Sequence, residues 1–378
     1  MMLWNLDPPI TNSKFIRLFE LGEVSFMNTY IIAEMAWSYT GSQERALEML
    51  EGAAKAGANA ISIHITDMPT YMVEDYKCIV GTTLSDSADQ EASIYNFLEQ
   101  INLTSKQWIE FDSRATELDI DVVVMCNDRV SFEFSKSLNV NRYVISAASF
   151  LELDFIEEIV KVNKDIILRT GGATVEEVEK VLERIFATES SAKVCLLAGI
   201  QLYPTPIEEL HLASLSVIAD RFGREGVSVG LADHIDGDHP YAIHLPALAL
   251  AYGAKMLEKH ITTDRKEKLE DYEAALGIEQ FASFVDYIRT AELALGNGSI
   301  DYMKDSNAYI KYRQAARKKI VATSDLSAGT ILTRGMLAFK RADYGAQLDA
   351  LDLLIGQPLK TDKKCDDGID VADVVFSD

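Results

Sequence analysis

The chain has 378 residues, 48% of them hydrophobic and 25% charged, a composition that excludes an extended disordered polymer and, at about 150 residues per domain, predicts two to three globular units. The formal net charge is −23, so binding to nucleic acid or to an anionic membrane surface would need a segregated basic face, and neither is expected. The four cysteines, Cys78, Cys126, Cys195 and Cys365, form no C-x-x-C pair, and no signal-peptide pattern opens the chain. A reducing, cytoplasmic setting is therefore expected, with no disulfide framework. The longest nearly apolar run, Leu245 to Ala254, is about ten residues, short of the roughly 18 that a membrane span requires.

From Tyr30 onward, short apolar runs alternate with amphipathic stretches. Eight runs read as strands: Tyr30–Ala33, Ala60–Ile63, Val122–Met125, Tyr143–Ile145, Ile166–Leu168, Val194–Leu197, Val227–Gly230 and Lys255–Glu258. Between them the period turns helical. Ala46, Leu47, Leu50, Ala53, Ala54 and Ala56 precede Gly57, and Val175, Val178, Val181, Leu182 and Ile185 follow the N-cap candidate Thr174. Further helices are predicted near 104–117, 154–163, 240–253 and 278–295, and the segment after Cys126 carries the weakest helical pattern. Near-continuous apolar strands joined by helices imply parallel strands buried on both faces, and eight such units in about 270 residues match the size of a (β/α)8 TIM barrel. Residues 1–298 are assigned to that barrel with an N-terminal extension.

After Gly298 the pattern changes. Lys304, Lys311, Arg313, Arg317, Lys318 and Lys319 make a basic strip in an acidic chain, read as a linker over 299–316 or a docking strip. Lys319–Ala322, Ser327–Thr330, Leu337–Lys340 and Leu354–Leu359 then suggest a compact, mostly β domain over 317–378.

Chemistry in a TIM barrel sits at the C-terminal ends of the strands. Following each strand in turn come Glu34, His64, Cys126-Asn127, Ser146, Arg169-Thr170, Gln201-Leu202-Tyr203, Asp233-His234 and His260. His234 and His260 stand at neighbouring strands, close enough for one divalent cation, or alternatively as two hydrogen-bonded rim histidines. Glu34 lies in an apolar frame where a carboxylate is costly unless paired or functional. Arg169 precedes Thr170-Gly171-Gly172 at a helix start, which reads as an anion site or as an arginine in a structural salt bridge. His239 and His244 are read as helix-lining, and His211 as solvent-facing.

Five stretches resemble the sialic acid synthase family: Ile31–Glu34 with Ala53–Ala60, Thr170–Thr174, Tyr203–Pro206, Ala232–His234 and Leu257–Arg265. The similarity runs from about residue 15 to the C-terminus, where the last segment resembles the antifreeze-like (SAF) domain that this family carries. The resemblance implies condensation of phosphoenolpyruvate with an N-acylated amino-sugar aldehyde. It further implies a divalent ion, manganese or else magnesium, cobalt or zinc, held by His234 and His260. Glu34 would sit at the reacting centre, Asp271 on sugar hydroxyls, and Arg341 would reach over from the neighbouring subunit of a homodimer. Ser62, His64, Arg169, Gln201 and Tyr203 fall at substrate-binding positions.

The departures are specific. Where the family has a Val-Lys-x-Gln run on strand 2 and a Lys-Ile-Gly-Ser-Gly-Glu run on strand 4, this chain has Ser62 and Val144 at the two lysines and Ala147–Ser149 at the Ser-Gly-Glu. The strand-5 serine is Arg169, and the asparagine before Tyr-Pro-Thr-Pro is Gln201. Losing two cations from a site for a trianion removes several strong charge-assisted hydrogen bonds. Three readings follow: a divergent nonulosonic acid synthase with Arg169 and His64 standing in for the lysines, a metal-dependent aldolase or lyase with a pyruvate-like donor lacking phosphate, or a sugar-binding pseudoenzyme.

Overall fold

The computed structural model describes residues 28–76, 94–224 and 226–376. Cys78 and the part of the N-terminal extension where the resemblance begins lie outside them. The other three cysteines, Cys126, Cys195 and Cys365, are free thiols. The chain divides into two compact units, residues 1–297 and 298–378.

In the first unit, β1 (Tyr30–Glu34), β2 (Ala60–Ile65), β3 (Asp121–Cys126), β4 (Val140–Ile145), β5 (Asp165–Arg169), β6 (Val194–Ala198), β7 (Val227–Asp233) and β8 (Met256–Thr262) pair in sequence order, all parallel. The barrel closes through β1 on β8, with Ile32 opposite Glu258 and Glu34 opposite His260. Most strands run one to three residues past the apolar runs, so Glu34, Arg169 and Asp233 are the last residues of their strands, and His64 and His260 lie within theirs, one and two residues from the end.

Helices are laid down where local signals predict them. Gln43–Ala56 is capped by Ser42, which accepts from the Arg45 N–H, and ends at Gly57, whose φ of +84° suits a residue without Cβ. Ser105–Glu117 and Val175–Phe186 each start with a reciprocal capping box, Thr104/Gln107 and Thr174/Glu177. The weakly patterned segment after Cys126 is also helical, over Arg129–Ser135, with Asp128 as its cap. One expectation is corrected: 240–253 is not a continuous helix but turns, a 3-10 turn at Leu245–Ala247 and a single α turn at Leu248–Ala251. Pro240 and Pro246 each lack the N–H that an uninterrupted helix would use. His239 and His244 therefore sit on turns, His244 edge-on to Tyr287.

Two apolar layers result. Ile61, Val124, Leu168, Leu231, Leu257 and Ile261 face the surrounding helices, while Ile32, Val123, Val144, Ile167, Leu197 and Met256 fill the barrel interior. Because side chains alternate across a strand, the interior face continues upward as Glu34, Ser62, His64, Arg169, His234, Glu258 and His260. The apolar plug is thus the floor of a polar mouth.

In the second unit, Tyr302–Asp305 and Asn307–Ala316 are helical, and they carry Lys304, Lys311 and Arg313 of the basic strip. Two antiparallel strands, β9 (Lys319–Ala322) and β10 (Leu337–Lys340), join isolated bridges at Leu326, Ile331, Leu359 and Gly368. Ile320, Leu332, Leu337, Leu354, Leu359, Ile369 and Val374 form its core. Leu354 ends a helical turn, Leu351–Leu354, rather than opening a strand. Among the described residues no helix is long and apolar enough to cross a membrane.

The loops at the mouth are packed backbone on backbone: a Cβ on Gly171 would overlap the carbonyl oxygen of Gly199, itself at φ +129° against Ala232. Gly171→Ala is expected to lower unfolding free energy by about 1–3 kcal/mol through this overpacking, measured by urea denaturation.

Candidate active site

Arg169 ends β5 with its guanidinium turned into the barrel. Its Nη2 lies 2.7 Å from Glu34 Oε2 and 2.8 Å from Glu258 Oε1, and all three side chains are at most 4% exposed. It faces those carboxylates rather than the Thr170–Gly172 backbone, and Gly171 serves close packing against Gly199. Glu34 also accepts the Ala36 N–H at 2.7 Å and lies 3.4 Å from His64 Nε2. Burial opposes the Glu34 charge, but His64, Arg169 and the Ala36 N–H hold its carboxyl below the ordinary range. Burial pushes Glu258 up to about 8, with Arg169 pulling against the rise and Glu34 adding to it. One guanidinium thus serves two carboxylates, and Glu258 keeps a proton at neutral pH.

Beside this triad stand the two histidines. Their ring centroids are 5.2 Å apart, and the Tyr203 ring lies 4.7 Å from His234 and 5.3 Å from His260. His234 Nδ1 contacts the Ile200 carbonyl at 2.7 Å, which fixes the proton on Nδ1 and leaves Nε2 with a free lone pair. His234 Nε2 and both ring nitrogens of His260 are buried without a hydrogen-bond partner. Burial lowers His234 to about 3 and lowers His260 well below the ordinary imidazole value, with Arg169 contributing to both and His234 to His260. Both rings are neutral. The residues that precede them form a buried ion pair in the outer layer: Lys259 Nζ bonds Asp233 Oδ2 at 2.6 Å and the Ile235 carbonyl at 3.0 Å. This pair ties β7 to β8 next to both histidines.

Above lies a cavity of about 200 Å³ lined by, among others, Trp37, His64, Tyr71, Asn127, Ser146, Gln201, Tyr203, Glu270 and Asp271. Asp271 is held at φ +60°. Burial first, then the neighbouring carboxylates Glu270, Glu34 and Glu273, raises its carboxyl well above the usual range. Glu270 is raised to about 7 by burial and by Glu273. Among the described lining residues there is no lysine or arginine.

The structure brings together Glu34, Ser62, His64, Arg169, Gln201, Tyr203, His234, His260 and Asp271 at one end of the barrel. Ser62 is fully buried beside Glu34 in register, and Val144 belongs to the apolar plug. Arg341 lies in the second unit, where its Nη2 donates to the Ala315 carbonyl at 2.9 Å. His211 is exposed, as expected. Sequence reasoning assigned no role to Glu258 or Trp37. Glu258 lies two residues before His260 on the same strand face, a period-2 signal that was present in the sequence. Trp37, edge-on to His64 at 5.0 Å, follows strand 1 in an irregular turn with no such signal.

Fold and site define a (β/α)8-barrel protein with a polar, ligand-ready mouth and a small appended β domain. The chain belongs to the NeuB family, matched over residues 49–300, and residues 317–375 match the SAF domain. It is 30% identical over 350 residues to the pseudaminic acid synthase of Campylobacter jejuni, covering 91% of this chain and 96% of that one. It is 27% identical over 338 residues to the N,N'-diacetyllegionaminic acid synthase of the same species, covering 87% and 95%. A putative spore coat polysaccharide biosynthesis protein E from Chromobacterium violaceum shares the fold, with a TM-score of 0.73 at 20% identity over 92% of this chain and 100% of that one.

Arg169→Met would strand the buried Glu34 carboxylate without its counter-charge. A loss of about 3–5 kcal/mol in unfolding free energy is expected at neutral pH, read by chemical denaturation. A loss under about 1 kcal/mol would show that the arginine is not structurally required.

Proposed function

We propose that this protein is a nonulosonic acid synthase-type enzyme that joins a three-carbon acid to an N-acylated amino-sugar aldehyde by metal-assisted carbon–carbon bond formation. The observation that carries this reading is the pair His234 and His260, two neutral imidazoles with unpartnered buried nitrogens beside a cavity. Buried nitrogens without partners are costly unless a ligand completes them, and imidazole suits manganese, cobalt or zinc, less so magnesium. No cluster of three or more His, Cys, Asp or Glu side chains suited to a metal occurs among the described residues, so substrate or water would complete the coordination of a cation on these two. Such a cation would polarise the acceptor's aldehyde oxygen.

The chain's own groups divide the rest of the work. Asp271, half-buried on the cavity wall, is suited to sugar hydroxyls. Tyr203 and Gln201 wall the side nearest the histidines. Glu34, held ionised by Arg169, is placed to orient a water or take its proton if an enol phosphate is the donor. Arg341 is proposed to complete the site of a second copy in a homodimer, as the family resemblance implies. A donor without phosphate is favoured by a separate observation: the described cavity wall carries no cation, and Arg169 already serves two carboxylates.

His234→Ala and His260→Ala are each expected to abolish stoichiometric Mn2+ binding, measured by electron paramagnetic resonance, while the protein stays folded. Mass spectrometry of 2-acetamido hexoses incubated with Mn2+ and either phosphoenolpyruvate or pyruvate then identifies the donor. Full Mn2+ occupancy in the double variant would remove the metal site, and no Mn2+ binding by the natural chain would favour a sugar-binding non-enzyme.

For the dimer, mixing Arg341→Ala and Glu34→Ala chains should restore part of the activity, because one of the two composite sites is then intact. Proven heterodimers without activity would show that Arg341 does not act across subunits.

A further inference from the structure

Between β8 and the short strand Leu276–Gly277, which pairs back onto Ile261 and Thr262, the chain makes a loop over 263–275 that places Asp271 on the cavity wall. Asp271 stands at φ +60°, a left-handed backbone that persists in a non-glycine residue where its surroundings hold it. The loop is held on both sides of this residue. Before it, the buried Ser38 donates its hydroxyl to the Glu270 carbonyl at 2.7 Å. After it, Arg265 Nη1 donates to the carbonyls of Tyr272 and Ala275, with that of Glu273 also in reach at 3.3 Å.

The other edge of the same guanidinium is anchored to the loop after β7. Arg265 Nη2 pairs with Asp238 Oδ2 at 2.9 Å and lies 3.4 Å from Asp236 Oδ1, and Nε donates to Asp238 Oδ1 at 3.1 Å. Between the two aspartates, the Gly237 N–H donates to the Glu273 carbonyl at 2.7 Å. A Cβ on Gly237 would fall 2.2 Å from both the Ala275 carbonyl oxygen and Arg265 Nη1, so the glycine leaves the gap that the guanidinium fills. The arginine side chain is only 10% exposed, whereas Asp238 is 78% exposed. Ion pairs to so open a carboxylate contribute little, which leaves the loop carbonyls as the partners that matter for the buried end of Arg265.

We infer that Arg265 is a positioning residue that fixes the Asp271 carboxyl at the sugar side of the cavity, by gathering the backbone carbonyls that follow Asp271 and tying them to the loop that follows His234. This rests on the reading that Asp271 meets the hydroxyls of the sugar. Arg265 is not among the residues that line the cavity, so it acts through the loop and not by touching substrate. The fork of an arginine offers donors along two edges, toward carbonyls and carboxylates at once, whereas a lysine ammonium is a single point of charge and cannot span both. With His234 and Asp271 held to one guanidinium, the two ends of a bound sugar are gripped at a fixed separation, which is what productive orientation requires.

The test pairs hydrogen–deuterium exchange with steady-state kinetics on the full chain, using the 2-acetamido hexose and donor that the mass-spectrometric screen selects. In Arg265→Lys the backbone amides of 271–275 should exchange about tenfold faster or more, with those of β7 and β8 unchanged. The same variant should raise the KM of the sugar about tenfold or more while kcat, the donor's KM and the Mn2+ affinity stay close to those of the natural chain. The double variant Arg265→Lys with Asp271→Asn should have a sugar KM no higher than Asp271→Asn alone, because an arginine that acts only through Asp271 then has nothing left to position. Unchanged exchange over 271–275, an unchanged sugar KM in Arg265→Lys, or additive effects in the double variant would each overturn the inference and leave Asp271 at the sugar. An unchanged sugar KM in Asp271→Asn, or a screen that yields no product, would remove the reading of Asp271 and the inference together.

Discussion

Arg169 meets two carboxylates, Glu34 at 2.7 Å and Glu258 at 2.8 Å, inside a barrel where none of the three sees much solvent. One positive charge cannot neutralise two negative ones, and in a low-dielectric interior the surplus is not screened. The surplus is relieved by a proton on Glu258, and both contacts turn the guanidinium into the barrel. Every other property of the mouth follows from that commitment. His64 lies beside Glu34, burial and then the positive field of Arg169 keep His234 and His260 neutral, and an anion entering the cavity meets Glu270 and Asp271 on its described wall.

The same strands carry both the packing and the chemistry. Along β8, Met256 sits in the apolar plug, Glu258 pairs with Arg169 and His260 faces the mouth, while Leu257 and Ile261 face the outer helices. Lys259 shares that outward face but pairs with Asp233 of β7. An ion pair buried this deeply contributes little net stability over apolar packing, but it ties together the two strands that present His234 and His260. Ligand-ready nitrogens are thus held on the most rigid part of the protein, and the cavity wall is completed by loops.

The (β/α)8 order was legible because apolar runs and helical periods alternate eight times, and because Ser42, Thr104, Thr174 and Gly57 mark helix ends by local chemistry. The stretch 240–253 misled because its apolar residues have a helical spacing while Pro240 and Pro246 interrupt the backbone ladder. His234, His260, Glu34 and Asp271 were visible as polar residues at strand ends or in family-like motifs. Glu258 went unassigned because a glutamate within an apolar run shows no partner in sequence, and the arginine that pairs with it is 89 residues away.

What the sequence determined by itself was the period of each segment, and with it the barrel, the appended β unit and the set of polar residues that reach the strand ends. These are local properties, written in the spacing of apolar side chains and in the caps. Tertiary structure alone decided which way Arg169 points. At a helix start it had two open options, a neighbouring backbone or a partner across the barrel. Closure of β1 onto β8 brought Glu34 and Glu258 within 3 Å of its guanidinium, and the need to compensate buried charge settled the choice.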